Sequence, residues 1–379
     1  MKAEAVKHRV PAMDRTCTLM ITHQCNLNCT YCYENFKSSA QMPLALAKQL
    51  IESEMSSVAA NPRFSGLIID FIGGEPLICF DLIAELAEWV WAEPREVPYM
   101  FFATTNGTLL DERKKKWFRK HKEKFQLGLS LDGPEAIQEV NRKGSFSSID
   151  IDFFRELWPS QGVKMTISRE GLKTLAHDVL YLQNLGLVVN FYPAVGIDWT
   201  DADADLYEQQ LRILAEHYLK QKMPQMVSLF ALDFDVLLEK TKHIPKFCGT
   251  GTYMVTYDVD GTAYPCHMFT PVVLGENCSE DLKKYNFYTE DDLVDQNCKA
   301  CPLLRICPTC YGFNYKYRKA IAARDSGTCK MFKRQVLAAH YFQVELLMKE
   351  GLPDEAEGLR QAKILVNAAD LMQSMKLVM

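Results

Sequence analysis

The sequence lacks the marks of membrane and exported proteins. No apolar run approaches the ~18 residues of a transmembrane helix, and the opening MKAEAVKHRVPAMDR has no apolar signal-peptide core. An excess of positive charge is absent too, because 43 Lys and Arg residues are outnumbered by 48 Asp and Glu residues. We therefore expect a cytoplasmic protein whose partner is a small molecule or a peptide, and neither a membrane nor a nucleic acid.

Cysteine is missing from the long stretch between Cys79 and Cys248, although the chain contains 13 cysteines. Most of them are crowded into two regions, 25–32 and 248–329. Without an export signal, the reducing cytosol favours metal binding over disulfide bonds. Cys17 and Cys79 lie outside both regions, and we interpret them as buried apolar thiols.

Internal repeats and low-complexity tracts are also absent. From residue 16 to about 220, short β-rich runs alternate with helical patterns, which indicates βα units around a parallel sheet. A closed barrel needs about eight such units, so six units predict a partial (β/α)6 TIM-like barrel of the α/β class. The predicted strands are 17–22, 66–72, 99–105, 125–131, 163–168 and 187–195, and the predicted helices are 43–59, 80–92, 111–121, 147–158, 172–185 and 204–220.

The rest of the chain divides by composition. A less periodic connection leads from the barrel to a cysteine-rich domain with a small β-hairpin and helices, and a helix predicted at 331–349 opens the tail. The predicted boundaries are 1–15 for an N-terminal arm, 16–220 for the barrel, 221–247 for the connection, 248–330 for the cysteine-rich domain and 331–379 for the final helix and tail.

The loop after the first strand carries Cys25, Cys29 and Cys32 with the spacing CxxxCxxC. A cubane iron–sulfur cluster normally uses four thiolates, so three would leave one iron open to a substrate or cofactor. Ligands of parallel α/β folds bind at the carboxyl ends of the strands, where this loop begins. The alternative is a structural zinc site, which lacks a nearby His or fourth Cys to complete its tetrahedral ligand set.

This loop, CNLNCTYCY, resembles the cluster loop of the radical S-adenosylmethionine (SAM) superfamily. The resemblance continues in barrel order with GGEP after the second strand, TNG after the third and SLDG after the fourth. It implies a [4Fe–4S] cluster that reductively cleaves SAM to a 5′-deoxyadenosyl radical. It also implies the cofactor contacts Tyr31, Gly73, Gly74, Glu75, Asn106, Ser130, Asp132 and Arg142.

The resemblance assigns these contacts to parts of SAM. Residues 73–75 would receive the methionine amino group, Ser130 and Asp132 would face the ribose, and the Arg142 fork would meet the carboxylate. Taken singly, each feature has a plainer interpretation. The two glycines suit a tight turn, Asp132 suits an Asx turn, and Arg142 suits a surface charge.

The second cysteine region opens with YMVTYDVDGTAYPC, which predicts two strands joined by a turn at Asp260 and Gly261. The following NCKACPLLRICPTC repeats CxxC, a spacing shared with zinc ribbons. With Cys278 left aside, the cysteines in the order one, one, four and one resemble instead the SPASM domain, which carries two auxiliary iron–sulfur clusters.

The SPASM resemblance implies three [4Fe–4S] clusters in all. The inner auxiliary cluster would lack a fourth ligand, so it has an open iron or uses Cys278. The CPTC pair is one residue tighter than usual, which leaves the division of ligands between the clusters open. The implied ligands are Cys298, Cys301, Cys307 and Cys329 for the outer cluster, and Cys248, Cys266 and Cys310 for the inner one.

Enzymes similar to this combination include sulfatase maturases, peptide-modifying enzymes and dehydrogenases of small aminocyclitols. Sulfatase maturases carry an aspartate base directly after the cysteine equivalent to Cys266, whereas this chain has His267. A histidine can accept a proton near neutral pH, and a structural histidine beside the cluster is the other interpretation. The resemblance therefore favours hydrogen abstraction from a ribosomally synthesised peptide, which forms a thioether or carbon–carbon cross-link.

Formylglycine formation in a sulfatase and small-molecule dehydrogenation stay open, as does a non-catalytic zinc or electron-transfer protein. A radical SAM peptide maturase would need a flavodoxin- or ferredoxin-type electron donor. The arm is too short for a winged-helix leader-binding domain. We therefore expect the precursor peptide to be bound by the barrel, by the tail or by a separate leader-peptide-binding protein.

Overall fold

The computed structural model describes residues 15–221, 225–237, 246–350 and 355–375. The predicted N-terminal arm lies outside these ranges except for Arg15, which begins the first strand, and the predicted connection 221–247 is described only in part. No helix in the described ranges is both long and apolar enough to span a membrane.

The strands and α-helices alternate through the first half of the described chain, and helices dominate the second half. The strands are β1 (Arg15–Thr22), β2 (Leu67–Gly73), β3 (Tyr99–Thr105), β4 (Phe125–Leu129), β5 (Val163–Ile167), β6 (Val189–Pro193), β7 (Met254–Tyr257) and β8 (Ala263–Tyr264). The α-helices are α1 (Leu44–Ala60), α2 (Phe80–Trp91), α3 (Glu112–His121), α4 (Glu135–Asn141), α5 (Ile151–Leu157), α6 (Leu175–Asn184), α7 (Asp201–Lys220), α8 (Pro271–Leu274), α9 (Ser279–Leu282), α10 (Glu290–Leu293), α11 (Tyr311–Arg318), α12 (Ser326–Glu350) and α13 (Glu355–Ser374).

The first six strands form the partial barrel. Strands β1 to β4 pair in parallel in the order β4-β3-β2-β1, and β5 pairs in parallel with β6. A single parallel bridge between Ser130 and Lys164 continues the barrel from the end of β4 to β5. The predicted fold class, an α/β partial barrel of six strands, is therefore confirmed.

One face of these strands packs under the helices and the other faces a lumen. On the helix side, Phe71, Phe101 and Phe125 are fully buried, and their stacked rings lie 5.7 to 6.1 Å apart. Neighbouring side chains alternate across the strand, so Asp70 and Phe102 point to the opposite face. The lumen is thus lined by the residues between the buried ones.

The predicted hairpin of the cysteine-rich region is present as β7 and β8, which pair antiparallel. It also joins the barrel sheet, because β7 pairs in parallel with the free edge of β1. Beside this junction, His23 Nε2 lies 2.6 Å from Asp258 Oδ1, and both side chains are buried. The hairpin therefore holds the second cysteine region over the carboxyl end of β1.

The C-terminal helices pack on the last helix of the barrel. Helix α12 begins five residues earlier than predicted and lies along α7, where Arg334 pairs with Asp205 and Glu208. Helix α13 occupies the region predicted only as a tail and folds back on α12, with His340 Nε2 2.8 Å from the Leu365 carbonyl oxygen.

Candidate active site

The three cysteines of the first motif lie in the loop that follows β1, and all three are partly buried. Burial raises the pKa of Cys25 to about 11 and also raises the pKa of Cys29. The Cys29 thiol adds to the shift of Cys25, and the Cys32 thiol adds to that of Cys29, so the three thiols are neighbours. Such thiols ionise readily when a bound metal supplies positive charge.

Within the described ranges, no three His, Cys, Asp or Glu side chains converge closely enough to hold a single metal ion. The assignment of Cys25, Cys29 and Cys32 as cluster ligands therefore stays a prediction. The neighbouring thiols fit the donor set of an iron–sulfur cluster, whose irons each take a separate thiolate.

The glycine pair after β2 lets the cysteine loop pack directly on the sheet. A β-carbon on Gly73 would lie 2.3 Å from the Thr22 carbonyl oxygen, and one on Gly74 would lie 2.3 Å from the Gln24 carbonyl oxygen. The Gly74 amide donates to the Thr22 carbonyl at 3.2 Å. Any larger residue would displace the loop that carries Cys25, so this pair is a close-approach site rather than only a turn.

Glu75 ties the end of β2 to the end of β3. Its carboxylate is 1% exposed and accepts hydrogen bonds from Thr105 Oγ1 at 2.7 Å, the Asn106 amide at 2.7 Å and the Leu77 amide at 3.0 Å. A carboxylate offers about four acceptor positions, so about one is left for the implied contact with an amino group. Glu75 therefore positions the two strand ends as well as lining the site.

Asp132 and Arg142 form a buried ion pair. Arg142 Nε and Nη2 donate to the Asp132 carboxylate at 3.0 and 3.4 Å, and Asp132 is fully buried. The Tyr31 hydroxyl donates to the same carboxylate, and its ring lies under the guanidinium at 5.4 Å. The interpretation of Arg142 as a surface charge is therefore wrong, and in this structure its fork is engaged by Asp132.

The other two predicted cofactor contacts lie beside these groups. Asn106 is buried, and its side-chain amide donates to Asn26 of the cysteine loop at 3.0 Å. Ser130 is partly buried at the bridge to β5, and its amide donates to the Thr105 carbonyl at 2.9 Å. All eight predicted contacts thus lie at the carboxyl end of β2 or in the segments that follow β1 to β4.

The second cysteine region contains two separate groups of thiols. In one group, the thiols of Cys310 and Cys248 add to the burial that raises the pKa of Cys266 well above its ordinary value. Burial also raises the pKa of Cys310 to about 11, and Cys248 adds to it. The structure therefore brings together the three cysteines predicted for the inner cluster.

The other group contains the four cysteines predicted for the outer cluster. Burial raises the pKa of Cys307 to about 12, and the thiols of Cys329, Cys301 and Cys298 add to it. The division of ligands drawn from the sequence agrees with this grouping, despite the tight CPTC spacing. It remains a prediction that each group holds a cluster.

The remaining cysteines are buried. Cys17 and Cys79 lie in the hydrophobic core, as predicted. Cys278 is 2% exposed, and its thiol donates to the Phe269 carbonyl oxygen at 3.3 Å. Whether the predicted inner cluster has an open position or uses Cys278 stays a prediction.

Arg324 contacts the outer thiol group and was not singled out from the sequence. Its Nη1 donates to the Cys307 thiol at 2.8 Å and to the Cys307 carbonyl at 2.9 Å. The guanidinium also lowers the pKa of Cys298, against the larger effect of burial. No sequence signal marks this role, because an arginine between two cysteine motifs is usually a surface charge.

We expect Arg324→Gln to lower the reduction potential of the predicted outer cluster. Hydrogen bonds and positive charge at a ligand sulfur favour the reduced, more negative form. The measurement is a redox titration followed by electron paramagnetic resonance. Arg360→Gln, which changes an exposed arginine on α13, should leave every potential unchanged. Equal potentials in wild type and Arg324→Gln would contradict the prediction.

His267 lies beside the lumen, next to Cys266. Its ring centre is 5.9 Å from that of Tyr33, and burial, aided by the positive charge of Lys164, lowers its pKa to about 4. Burial therefore favours the neutral form of the imidazole. Its role as a catalytic base remains a prediction.

Two charged residues of the lumen were missed in the sequence. Asp70 and Lys164 stand within otherwise apolar strand runs, GLIIDFI and VKMTIS. Burial raises the pKa of Asp70 to about 6, and its Oδ1 is buried without a hydrogen-bond partner in the described structure. A charged residue inside an apolar strand run was the signal available, since buried charges are uncommon without a function.

The raised pKa of Asp70 predicts a pH-dependent stability. In the folded chain Asp70 takes up a proton near pH 6, and in the unfolded chain only near pH 3.8. Protonation of Asp70 therefore stabilises the fold fully below about pH 3.8, and this stabilisation is lost as the pH rises through 6. When the pH falls from about 8 to about 5, the free energy of unfolding of wild type should increase by about 1 kcal/mol relative to that of Asp70→Asn. Urea unfolding of both proteins at the two pH values measures this difference. The same change with pH in wild type and Asp70→Asn would contradict the prediction.

The fold and site define an α/β partial barrel with a thiol-bearing loop and a buried polar cluster at the carboxyl ends of its strands. Residues 19–150 match the family model of the radical SAM superfamily. This segment therefore carries a radical SAM domain, the domain of a family that uses SAM and a [4Fe–4S] cluster. The sequence resemblance is confirmed.

Two curated proteins illustrate the similarity. A cysteine-type anaerobic sulfatase-maturating enzyme of Clostridium perfringens is 24% identical over 326 residues, which cover 75% of this chain and 84% of that enzyme. An uncharacterised protein of Methanocaldococcus jannaschii is 30% identical over 176 residues, which cover 45% of this chain and 58% of that protein. The chain is thus related to a sulfatase-maturating enzyme over three quarters of its own length.

Solved structures share the fold. The native anSMEcpe with bound AdoMet has a TM-score of 0.64 at 19% identity, covering 88% of this chain and 99% of that one. Streptococcus suis SuiB bound to precursor peptide SuiA has a TM-score of 0.54 at 15% identity, covering 84% of this chain and 76% of that one. At these identities the likeness concerns the fold.

Proposed function

We propose that this protein is a peptide maturase that abstracts hydrogen from a ribosomally synthesised peptide and forms a thioether or carbon–carbon cross-link. The observation that carries the proposal is an open, apolar cavity of about 280 Å³ between the end of β6 and the second cysteine region. It is lined by Tyr192, Phe313 and Tyr317, and Tyr192 is 70% exposed. Exposed aromatic rings beside backbone suit an extended peptide.

Cys307, Cys310 and Cys329 also line this cavity. The auxiliary clusters would take up that side of it, and a peptide would lie beside them against Tyr192 and Tyr317. The structural neighbour SuiB binds a precursor peptide, which supports the same class of substrate here. His267, in place of the aspartate that sulfatase maturases carry, also favours peptide cross-linking over formylglycine formation.

The predicted cofactor residues have separate tasks in this proposal. Cys25, Cys29 and Cys32 would hold a [4Fe–4S] cluster that, with SAM bound, supplies a 5′-deoxyadenosyl radical. Ser130 and Asp132 would face the ribose of the cofactor, and Arg142, held in place by Asp132, would meet its carboxylate. Residues 248–330 would form a SPASM domain with two auxiliary clusters. A flavodoxin or ferredoxin would supply the electron that cleaves SAM, and an auxiliary cluster would accept the electron that the substrate radical loses when the cross-link forms.

The proposal is tested by anaerobic reconstitution with iron and sulfide. Three clusters predict about twelve iron and about twelve sulfide per chain. The reduced enzyme should form 5′-deoxyadenosine from SAM, and a short peptide encoded beside its gene should lose two hydrogen atoms per cross-link in the mass spectrum. Stoichiometric zinc without iron, or no response to SAM, would contradict the proposal.

Formylglycine formation is the second candidate, favoured by the 84% coverage of the Clostridium perfringens enzyme. The same reaction with a cysteine-containing sulfatase peptide separates the two. Conversion of its cysteine to an aldehyde would support the second candidate. Modification of only the neighbouring-gene peptide would support cross-linking and leave a separate leader-peptide-binding protein as the next partner to seek.

A further inference from the structure

The lumen of the barrel contains a lysine with no ion pair in the described structure. On β5, Val163, Met165 and Ile167 are buried in the hydrophobic core, whereas Lys164 projects from the opposite face of the strand. Surrounding protein lowers the pKa of Lys164, yet its side chain is accessible from the open space of the lumen. A desolvated cation that open space can reach is suited to bind a ligand.

Three elements face the Lys164 ammonium. From β3, Thr104 Oγ1 accepts a hydrogen bond from Nζ at 3.0 Å, and the Phe102 ring centre lies 5.9 Å away. Asp70 on β2 and His267 in the second cysteine region also lie near the ammonium. Among the described residues, Asp70 forms no ion pair with Lys164. One hydrogen bond leaves two of the three ammonium donors for a ligand.

The charges around Lys164 favour an anion. The Asp132 carboxylate is already paired with Arg142, so it does not compete for the Lys164 ammonium. Burial raises the pKa of Asp70 to about 6, and an anion bound beside Lys164 would raise this pKa further. Asp70 would then be protonated and would not repel the anion. Its unpartnered Oδ1 would then lie on a neutral carboxyl group near the ligand.

We propose that Lys164 binds a carboxylate of the substrate, on an aspartate or glutamate close to the residue that is modified. The proposal rests on the peptide maturase function above and adds a specificity-determining residue to it. A backbone carbonyl would accept the same hydrogen bonds without balancing the charge, so an acidic side chain binds more tightly. Cross-linking is then confined to peptides with an acidic residue near the modified one.

One experiment tests the anion site without catalysis. Crystals of the SAM-loaded holoenzyme are soaked in sodium bromide, and the anomalous signal of bromide is located. We expect a bromide within hydrogen-bond distance of Lys164 Nζ in wild type and none in Lys164→Met crystals. Absence of bromide from the wild-type lumen would overturn the anion site.

A second experiment tests specificity. Short synthetic peptides with one cysteine and one variable position, occupied by Asp, Glu, Asn or Gln, are incubated with holoenzyme, SAM and dithionite. Wild type should prefer the acidic peptides about tenfold or more over the amides, as expected for one charge-assisted hydrogen bond. Lys164→Met should lose this preference and Lys164→Arg should retain part of it.

Lys173→Met is the matched control, because Lys173 is exposed on the short helix before α6 and should keep the wild-type preference. Equal use of acids and amides by wild type would overturn the proposal. If no peptide is modified by any variant, the maturase function fails, and the bromide experiment still decides whether Lys164 binds an anion.

Discussion

Replacing Cys25, Cys29 and Cys32 together with alanine is expected to abolish formation of 5′-deoxyadenosine from SAM. The three thiols are neighbours in one loop, and the backbone of that loop packs on Gly73 and Gly74 without an intervening side chain. With no thiolate left, the loop cannot bind a cluster, and the electron that cleaves the cofactor has no carrier. The product is measured by chromatography after reduction with dithionite.

The cluster content tests the same variant independently of activity. Reconstituted wild type should contain about twelve iron atoms per chain, and the triple variant should contain about eight, because the cysteines of the second region are unchanged. Cys79→Ala is the matched control, since Cys79 is buried after β2 and outside all three thiol groups. Cofactor cleavage that survives the triple replacement would place the active cluster elsewhere.

Asp132→Asn is expected to produce the largest loss of stability in the site. The buried guanidinium of Arg142 would lose its counter-charge, and the new amide would meet the donors of Tyr31, Asn141 and Arg142 where an acceptor stood. Breaking a buried pair in this way costs about 3–5 kcal/mol. Chemical unfolding measures the stability, and equilibrium dialysis measures the accompanying loss of SAM binding.

Two comparison variants keep this prediction testable if Asp132→Asn fails to fold. Tyr31→Phe removes one hydrogen bond to the same carboxylate and should cost about 1–3 kcal/mol. Asp152→Asn breaks an exposed pair with Arg155 on α5 and should cost less than about 1 kcal/mol. A stability ranking other than Asp132→Asn, Tyr31→Phe and Asp152→Asn, from most to least destabilised, would contradict the buried-pair interpretation.

The barrel was predictable from local patterns, because each strand is an apolar run of five to eight residues bounded by turn or helix signals. Helix α4 was missed because its seven residues directly after Pro134 are too few to show a period. Helix α13 was missed because charged and polar residues are spread along it, and it is stabilised by packing on α12.

The candidate site was predictable only in its local motifs. The GGEP segment could be located, but the need for Gly73 and Gly74 follows from the carbonyls of Thr22 and Gln24, about 50 residues earlier. The engagement of Arg142 by Asp132 likewise depends on how α4 turns back over β4. Lys164 was missed because one polar residue in a short strand does not reveal which face looks into a lumen.

By itself, the sequence determined which residues follow each strand, and therefore the three-thiol loop, the glycine pair and the CxxC pairs, because spacing along the chain is a local property. Only the tertiary structure decided that β7 joins β1, that Arg324 contacts the thiol of Cys307 and that Lys164 faces the lumen. These are contacts between residues far apart in sequence, which are settled by packing of the whole chain.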